Sequence, residues 1–581
     1  MYLNVSKRDG GRKYLSIQKS FWNKESKSRT STTVKALGFL DVLEKEFNDP
    51  ISYFKEVAKT MTLQENASRH ISIDIDMNEE LPDNAQGTYN FGYAVPMKVY
   101  HDLWLDDFFK RKMVGKKFDF NTNSIMIMLA MSRILSPASK KKSYEDKGRF
   151  FERFDFSLDD VYRALSHYAE ISNELQQSMH ERIASKYGSD TGIVYYDVTN
   201  YYFQIKKPNE ILKYGKGKEN RKKPIVQMGL AMDADGVPIH YKLFPGNTLD
   251  KETFRSVIGD IKLNYNTGRI IVVADMGIIT GDNIYYLTGS KQEKPLNGYV
   301  FSFSIRGGTD KFKEYVLDRN GYCDNNGKPV GDDADFMVKS RIEVRDINVS
   351  MNNGKKRTKQ VVEKQVVFWN RKYFDKARAE RAEVLAKAEK LIKTPGTYTK
   401  ATSYGAAAYV LNIDYDKKTG EIKGKDGKAL LMDSAKIAEE EKYDGYYAIV
   451  TSELDKTDDQ IIDIYRGLWE IEETFKITKS DLSARPVYVQ EYDHIDAHFL
   501  ICFISLVIIR LIQKKTDKKY SAAKIIECLN KIECTHEHEN IYLFGYKSEL
   551  SVALGKVFNI DFSKKRLPLN EIKQILADVK R

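Results

Sequence analysis

Cysteine is scarce in this 581-residue chain. Cys323, Cys502, Cys528 and Cys534 are the only four and no two form a CxxC pair, which excludes a disulfide framework and a zinc ribbon and fits a reducing cytosol. The stretch "ECTHEHEN" gathers Cys534, His536 and His538, but at a spacing that matches no standard zinc pattern. Long apolar runs are also lacking. The one membrane candidate, "FLICFISLVII" at 499–509, has eleven residues before Arg510, short of the ~20 that span a bilayer, so a buried helix and no membrane partner are expected. The N-terminus has no apolar stretch of signal-peptide length, and no internal repeat or low-complexity tract is found.

What is present is length and positive charge. The chain is too long for one ordinary core, and 93 Lys+Arg against 82 Asp+Glu give a formal charge of +11, a balance that favours polyanions. Six regions are expected. Residues 1–90 form a β-hairpin and helix module with Lys and Arg that could touch phosphates, and 91–190 a helical module containing "NTNSIMIMLAMSRIL" after an Asn cap. Residues 191–303 alternate strand, hairpin and helix, with Asp235-Gly236 as the hairpin turn, and read as the first part of an α/β mixed-sheet core. Residues 304–440 are a heterogeneous β-rich insertion, 441–515 complete the core, and 516–581 are a helical tail.

Three acids stand out. Asp197 interrupts the strand-like run "GIVYYDVTNYYF", and Asp275 follows the apolar strand of "RIIVVADMGIIT" at its end. Either alone also reads as a cap or a paired structural acid. On a helix expected to run unbroken from about Asp458 toward Pro486, Tyr465, Glu472 and Lys479 are spaced seven apart. Seven residues drift by only about 20°, so the three share one stripe beside an apolar face of Ile464, Leu468, Ile471, Phe475 and Leu482. Convergent carboxylates are what phosphoryl transfer with two divalent ions needs, because such ions take hard oxygen ligands.

Together these stretches resemble the DDE transposases of bacterial insertion sequences, in particular the group with a β-rich insertion in a ribonuclease-H-like core and a Y-R-E-K signature on the last catalytic helix. "YYDVTNYYF" is similar to the first-aspartate strand, "VVADMGIIT" to the second, and "YRGLWEIEETFKITKSDLSARPVYV" to the glutamate helix, while "GVPIHYKLFPGNTLDKETF" resembles the strand and turn between the aspartates. The resemblance implies a ribonuclease-H-like mixed sheet flanked by helices. It also implies a catalytic and metal-binding set of Asp197, Asp275 and Glu472 holding two Mg2+ or Mn2+ ions, with Tyr465 and Lys479 holding transposon-end DNA. It further implies cleavage at transposon ends and strand transfer into target DNA, with a homodimer on the DNA and a cytoplasmic, nucleoid-associated location. One departure is plain: Leu468 stands where the signature has Arg, leaving Arg466, about 100° away, as a candidate DNA contact. Glu473 rivals Glu472 but points off the Tyr/Lys stripe.

A basic loop, "KYGKGKENRKK", follows the Asp197 strand, and its Lys216, Lys218 and Arg221 are candidate backbone contacts. Trp369 and Trp469 are candidates for base stacking. Two other readings stay open: a non-catalytic DNA-binding descendant of a transposase, and a ribonuclease-H-like nuclease without strand transfer.

Overall fold

A computed structural model describes residues 1–23, 28–67, 78, 80, 87–204, 209–215, 223–265, 267–289, 296–331, 334–351, 354–393, 405–415 and 427–581. The chain divides into two units, Met1–Ala85 and Gln86–Arg581. In the first, strands β1 (Tyr2–Lys7), β2 (Lys13–Asn23) and β3 (Ser28–Phe39) form an antiparallel sheet, so the expected hairpin carries a third strand. Leu15, Leu43 and Phe54 close a small core between this sheet and the helix Pro50–Ala67.

The second unit begins with a short strand, β4 (Thr88–Asn90), and a helical layer. Asn121 caps the helix Thr122–Leu135 by accepting from Ser124 N at 3.1 Å, and Ser157 with Asp160 forms a capping box on Leu158–Tyr187. Then follow β5 (Ile193–Tyr202), β6 (Ile225–Met232), β7 (Pro238–Pro245), β8 (Ile271–Ala274), β9 (Gly298–Ser302), β10 (Phe336–Ser350) and β11 (Lys356–Asn370). β12 (Val410–Tyr415) and β13 (Gly427–Met432) pair with each other, and β14 (Tyr446–Thr451) returns to the large sheet. Strands β15 (Glu533–His538), β16 (Ile541–Phe544) and β17 (Arg566–Pro568) make a small sheet with β4.

The large sheet has the order β10-β11-β14-β9-β8-β5-β6-β7. β5, β6 and β7 run antiparallel, and Gly236 at φ +77° makes the β6–β7 turn where the sequence places Asp235-Gly236. β8 and β9 join β5 in parallel, giving the five-strand order and directions of a ribonuclease-H-like core. β14 then adds antiparallel to β9, and the β10–β11 hairpin extends the sheet beyond it. The strands of 304–440 are thus divided: one hairpin continues the large sheet, and the β12–β13 pair does not join it.

Alternation along the strands sends two sets of side chains to two layers. Val194, Tyr196, Val198, Val272 and Ala274 pack with Phe254, Val257 and Ile261 of the helix Asp250–Asn264. Tyr195, Val273 and Val300 face the other layer, with Ile461, Ile471 and Phe475. That layer includes Tyr492–Lys515, a helix long and apolar enough to span a bilayer but with 94% of its most apolar window buried against its neighbours. It packs on Thr122–Leu135 and Leu158–Tyr187. In β15 Cys534 is buried, while Glu537 pairs with Arg566 at 2.7 Å.

Candidate active site

Asp197 and Asp275 are neighbours by register. The parallel pairing of β5 with β8 ends at Tyr195↔Val273, and each aspartate lies two residues further along its strand direction, on the face that Tyr195 and Val273 share. Parallel strands stand about 4.8 Å apart, so the two carboxylates leave adjacent backbones on one face. Asp197 is half-buried and its Oδ1 accepts from Val198 N at 2.7 Å. Asp275 is exposed, caps the turn that starts at Met276, and accepts from Ser302 Oγ at 2.6 Å.

Ser302, at the end of β9, links Asp275 to Tyr465 and to its partner Tyr447, which the sequence does not mark. Tyr447 Oη and Tyr465 Oη lie 2.7 Å apart, and both hydroxyls interact with Ser302. Burial, and for Tyr465 the adjoining Tyr447, push both phenols above their usual range, which keeps them as neutral hydrogen-bonding groups. The Tyr465 hydroxyl is therefore committed to the network beneath the acids.

The expected continuous helix is divided into Asp458–Arg466, Trp469–Lys476 and a π-helical turn Ile477–Asp481. Between the first two the hydrogen bonds tighten to three residues, as in Leu468 N to Tyr465 O at 3.0 Å, and at the end they widen to five, Leu482 N to Ile477 O at 2.9 Å. The cause of the first break is packing on β5. Tyr195 Oη donates to Ile464 O at 3.1 Å and occupies the space over Gly467, where a Cβ would meet that oxygen at 2.0 Å. Gly467→Ala is accordingly expected to destabilise the protein by about 1–3 kcal/mol through overpacking, read as a lower thermal midpoint. Wild-type behaviour would mean that the helix shifts off Tyr195 without cost.

Three glutamates follow the break, and their surroundings differ. Glu470 binds Arg510 at 2.5 Å and Lys518 at 2.7 Å, and Glu473 binds Arg510 at 3.1 Å. Glu472 is exposed and has no hydrogen-bond or ion-pair partner among the described residues. It lines a cleft of about 770 Å3 together with Met276, Ser302, Tyr465, Arg466 and Trp469. Glu472 thus opens to the space beside Asp275, although among the described residues no three His, Cys, Asp or Glu side chains meet in a cluster that could hold a metal ion.

The remaining candidates are scattered. Lys479, on the π turn, lies 5.7 Å from the centroid of the Tyr201 ring, on the strand that carries Asp197. Arg466 is exposed on the cleft wall and pairs with Asp463 at 3.1 Å. Leu468, where the signature has Arg, is buried at the cleft wall and packs with the apolar core. Trp369 is buried, and its indole donates to Asp444 O at 2.9 Å, which removes it from base stacking, whereas Trp469 is 56% exposed in the cleft. Lys216, Lys218 and Arg221 lie outside the described residues.

Comparison with known proteins adds the family. Residues 196–508 match the family described as "Transposase DDE domain", more than half of the chain. No curated protein matches. Among solved structures the chain is similar to a piggyBac transposase in a synaptic complex with hairpin DNA, at 7% identity and a TM-score of 0.35 over 85% of this chain and 88% of that one. It is also similar to Mos1 transposase in a paired-end complex with the left transposon end, at 13% identity and a TM-score of 0.11 over 41% of this chain and 64% of that one. A Mos1 mariner paired-end complex with Mn matches at the same identity and TM-score over 41% and 67%. The fold assignment stands on the strand order and directions. The matched stretch opens one residue before Asp197 and takes in Asp275, Glu472 and the first turns of the buried helix Tyr492–Lys515; this chain belongs to the DDE transposase family.

Proposed function

We propose that Asp197, Asp275 and Glu472 are the metal-binding and catalytic acids of a transposase that cuts DNA at insertion-sequence ends and joins the released 3′-hydroxyl to target DNA. The observation that carries this reading is the placement of two aspartates at adjacent register on parallel strands, with Glu472 on a helix packed against the same face of the sheet and lining a cleft with Met276 and Ser302, the chain neighbour and the hydrogen-bond partner of Asp275. Hard carboxylate oxygens suit Mg2+ or Mn2+, and two such ions, when bound, would supply Lewis-acid charge to the attacking and leaving oxygens of an in-line displacement. The chain's own contribution is positioning. Ser302 fixes the Asp275 carboxylate, the Tyr447–Tyr465 pair braces Ser302, and Arg510 anchors the helix that presents Glu472.

In the first step a water oxygen bonds to phosphorus as the bond to the 3′-oxygen breaks. In the second, that 3′-hydroxyl attacks a target phosphodiester, and an equivalent bond breaks in the target strand. Lys479 and Arg466 serve as phosphate contacts, and Lys216, Lys218 and Arg221 as contacts to the DNA backbone. Pairing two DNA ends calls for a homodimer in the DNA complex, and a bacterial, nucleoid-associated setting follows from the insertion-sequence reading, as does the Y-R-E-K grouping despite Leu468.

The test compares two neighbouring glutamates. Glu472→Gln is expected to lower Mg2+-dependent cleavage of terminal DNA at least about 100-fold, and Glu473→Gln less than about 10-fold, since the latter keeps the helix and loses one of several Arg510 contacts. Equal losses would remove Glu472 from the acid set. Joined products separate a transposase from a nuclease without strand transfer, which would yield cleaved ends alone.

A further inference from the structure

The first unit carries a charge pattern that the acid site does not use. Strands β1, β2 and β3 contain Lys7, Lys13, Lys19, Arg29 and Lys35 and no Asp or Glu, although acids make up 82 of the chain's 581 residues. The stretch that follows reverses the balance, since residues 40–67 hold six acids against Lys45, Lys55 and Lys59. Positive charge is thus gathered on the sheet, and the helix side of the unit is acidic.

Pairing assigns the sheet's two faces. Leu3, Leu15 and Leu37 belong to the small core against the helix Pro50–Ala67. On the other face the register sets Gln18 between Tyr2 and Thr33, Asn4 beside Ser16, and Ser20 beside Ser31. The Tyr2 hydroxyl donates to Gln18 Oε1 at 3.0 Å and Ser31 Oγ donates to the same oxygen at 3.2 Å, which leaves the amide NH2 of Gln18 to offer its two donors outward. At one end of this face Arg8 lies over the Tyr14 ring at 5.3 Å, and Arg12, paired with Asp41 at 2.7 Å, lies over Phe39 at 4.1 Å. At the other end Arg29 is exposed in register with Trp22, roughly 27 Å along β2 from Tyr14.

Short amides and hydroxyls framed by arginines suit a polyanion that also presents donors and acceptors. The major groove of B-DNA is such a surface, with phosphates along both rims and a base-specific hydrogen-bonding pattern on its floor. Outer strands about 10 Å apart fit a groove about 12 Å wide. A second copy of the same face would instead bring like charge against like. We propose that this face of β1–β3 enters the major groove of double-stranded DNA, with Asn4, Gln18 and Thr33 on base edges and Arg8 and Arg29 on the flanking phosphates. The inference rests on the transposase reading and gives it a means of choosing among DNA sequences, which acids acting on phosphodiesters alike in every sequence do not supply.

The test uses the full chain in EDTA and the anisotropy of two fluorescein-labelled duplexes over about 50–200 mM salt, one carrying the inverted repeat that flanks the coding region and one the same bases shuffled. Asn4→Ala combined with Gln18→Ala should lower the preference for the repeat at least about 10-fold and leave the shuffled duplex within about twofold. Arg29→Gln should weaken both duplexes alike and reduce the salt slope by about 0.9, the share of one phosphate. Thr33→Val, which keeps the shape at an exposed position, gives an independent measure should the double variant lose its thermal transition, and should lower the preference about threefold. An RNA duplex, whose deep and narrow major groove side chains cannot read, should compete no better than shuffled DNA, and stronger competition would move the partner to RNA and overturn the proposal. A wild type that prefers and cleaves the repeat while the double variant and Thr33→Val keep its preference would overturn the sheet's role alone. A preference that the variants lose, in a wild type that cleaves nothing, would keep the sheet and remove the catalytic reading; a wild type that neither prefers nor cleaves the repeat would overturn both.

Discussion

Replacing Asp197 by Asn lowers metal-dependent cleavage of terminal DNA at least about 1,000-fold, about 4 kcal/mol of transition-state stabilisation, while leaving duplex affinity in EDTA within about twofold. The size follows from the position. Asp197 and Asp275 leave adjacent parallel strands on the same face, so removing one charge halves the fixed acid pair of the sheet. Asn keeps the shape and a carbonyl oxygen that can still accept from Val198 N, the contact seen for the carboxylate at 2.7 Å, so the loss reads on charge and not on folding. Gel-resolved cleavage in Mg2+ and in Mn2+ checks it. Cleavage by Asp197→Asn at the wild-type rate would take Asp197 out of the chemistry and leave its burial in the strand to a structural role.

The largest expected effect on stability lies under the Glu472 helix. Arg510 is 3% exposed and binds Glu470, which is 10% exposed, at 2.5 Å, as well as Glu473 at 3.1 Å and Gly236 O at 3.0 Å. Truncating one partner of a buried pair strands the other charge, so Arg510→Met should cost about 3–5 kcal/mol. Lys518, at 2.7 Å from Glu470, moderates the loss from the solvent side. Adding Glu470→Gln to Arg510→Met removes the stranded charge and should restore part of the stability, which urea unfolding of the two variants would measure. A single-variant cost below about 1 kcal/mol would show that Lys518 alone neutralises Glu470.

What the sequence discloses depends on the range of the interaction. Asp197 and Asp275 are visible because each breaks a local strand pattern, and the Asp235-Gly236 turn and the Asn121 cap are visible because their chemistry is local. Ser302 and Tyr447 give no such signal. They meet only because β9 pairs with β14, with Ser302 opposite Ile449, and a serine ending one strand or a tyrosine opening another has no distinctive spacing. The helix break escapes for a related reason. The apolar period runs through Gly467 undisturbed, and only the Tyr195 hydroxyl over that glycine shows why it is there. In sequence Arg510 is merely the residue that ends an apolar run; folded, it is the counter-ion of two glutamates on another helix. The alternating residues of β10 and β11 announce strands but not their partner, so that hairpin's place in the large sheet comes from pairing alone.

The route by which β14 enters the sheet also bears on synthesis. β9 ends at Ser302 and its neighbour on that side, β14, begins only at Tyr446, so a nascent chain carries β9 as an uncovered edge while the intervening segment is made. Val300 and Phe301 are fully buried once the sheet is complete, and an apolar edge of that kind pairs readily with other chains. Chains cut short before residue 446 should therefore aggregate where full-length chains do not, and the helix that carries Glu472 is made later still.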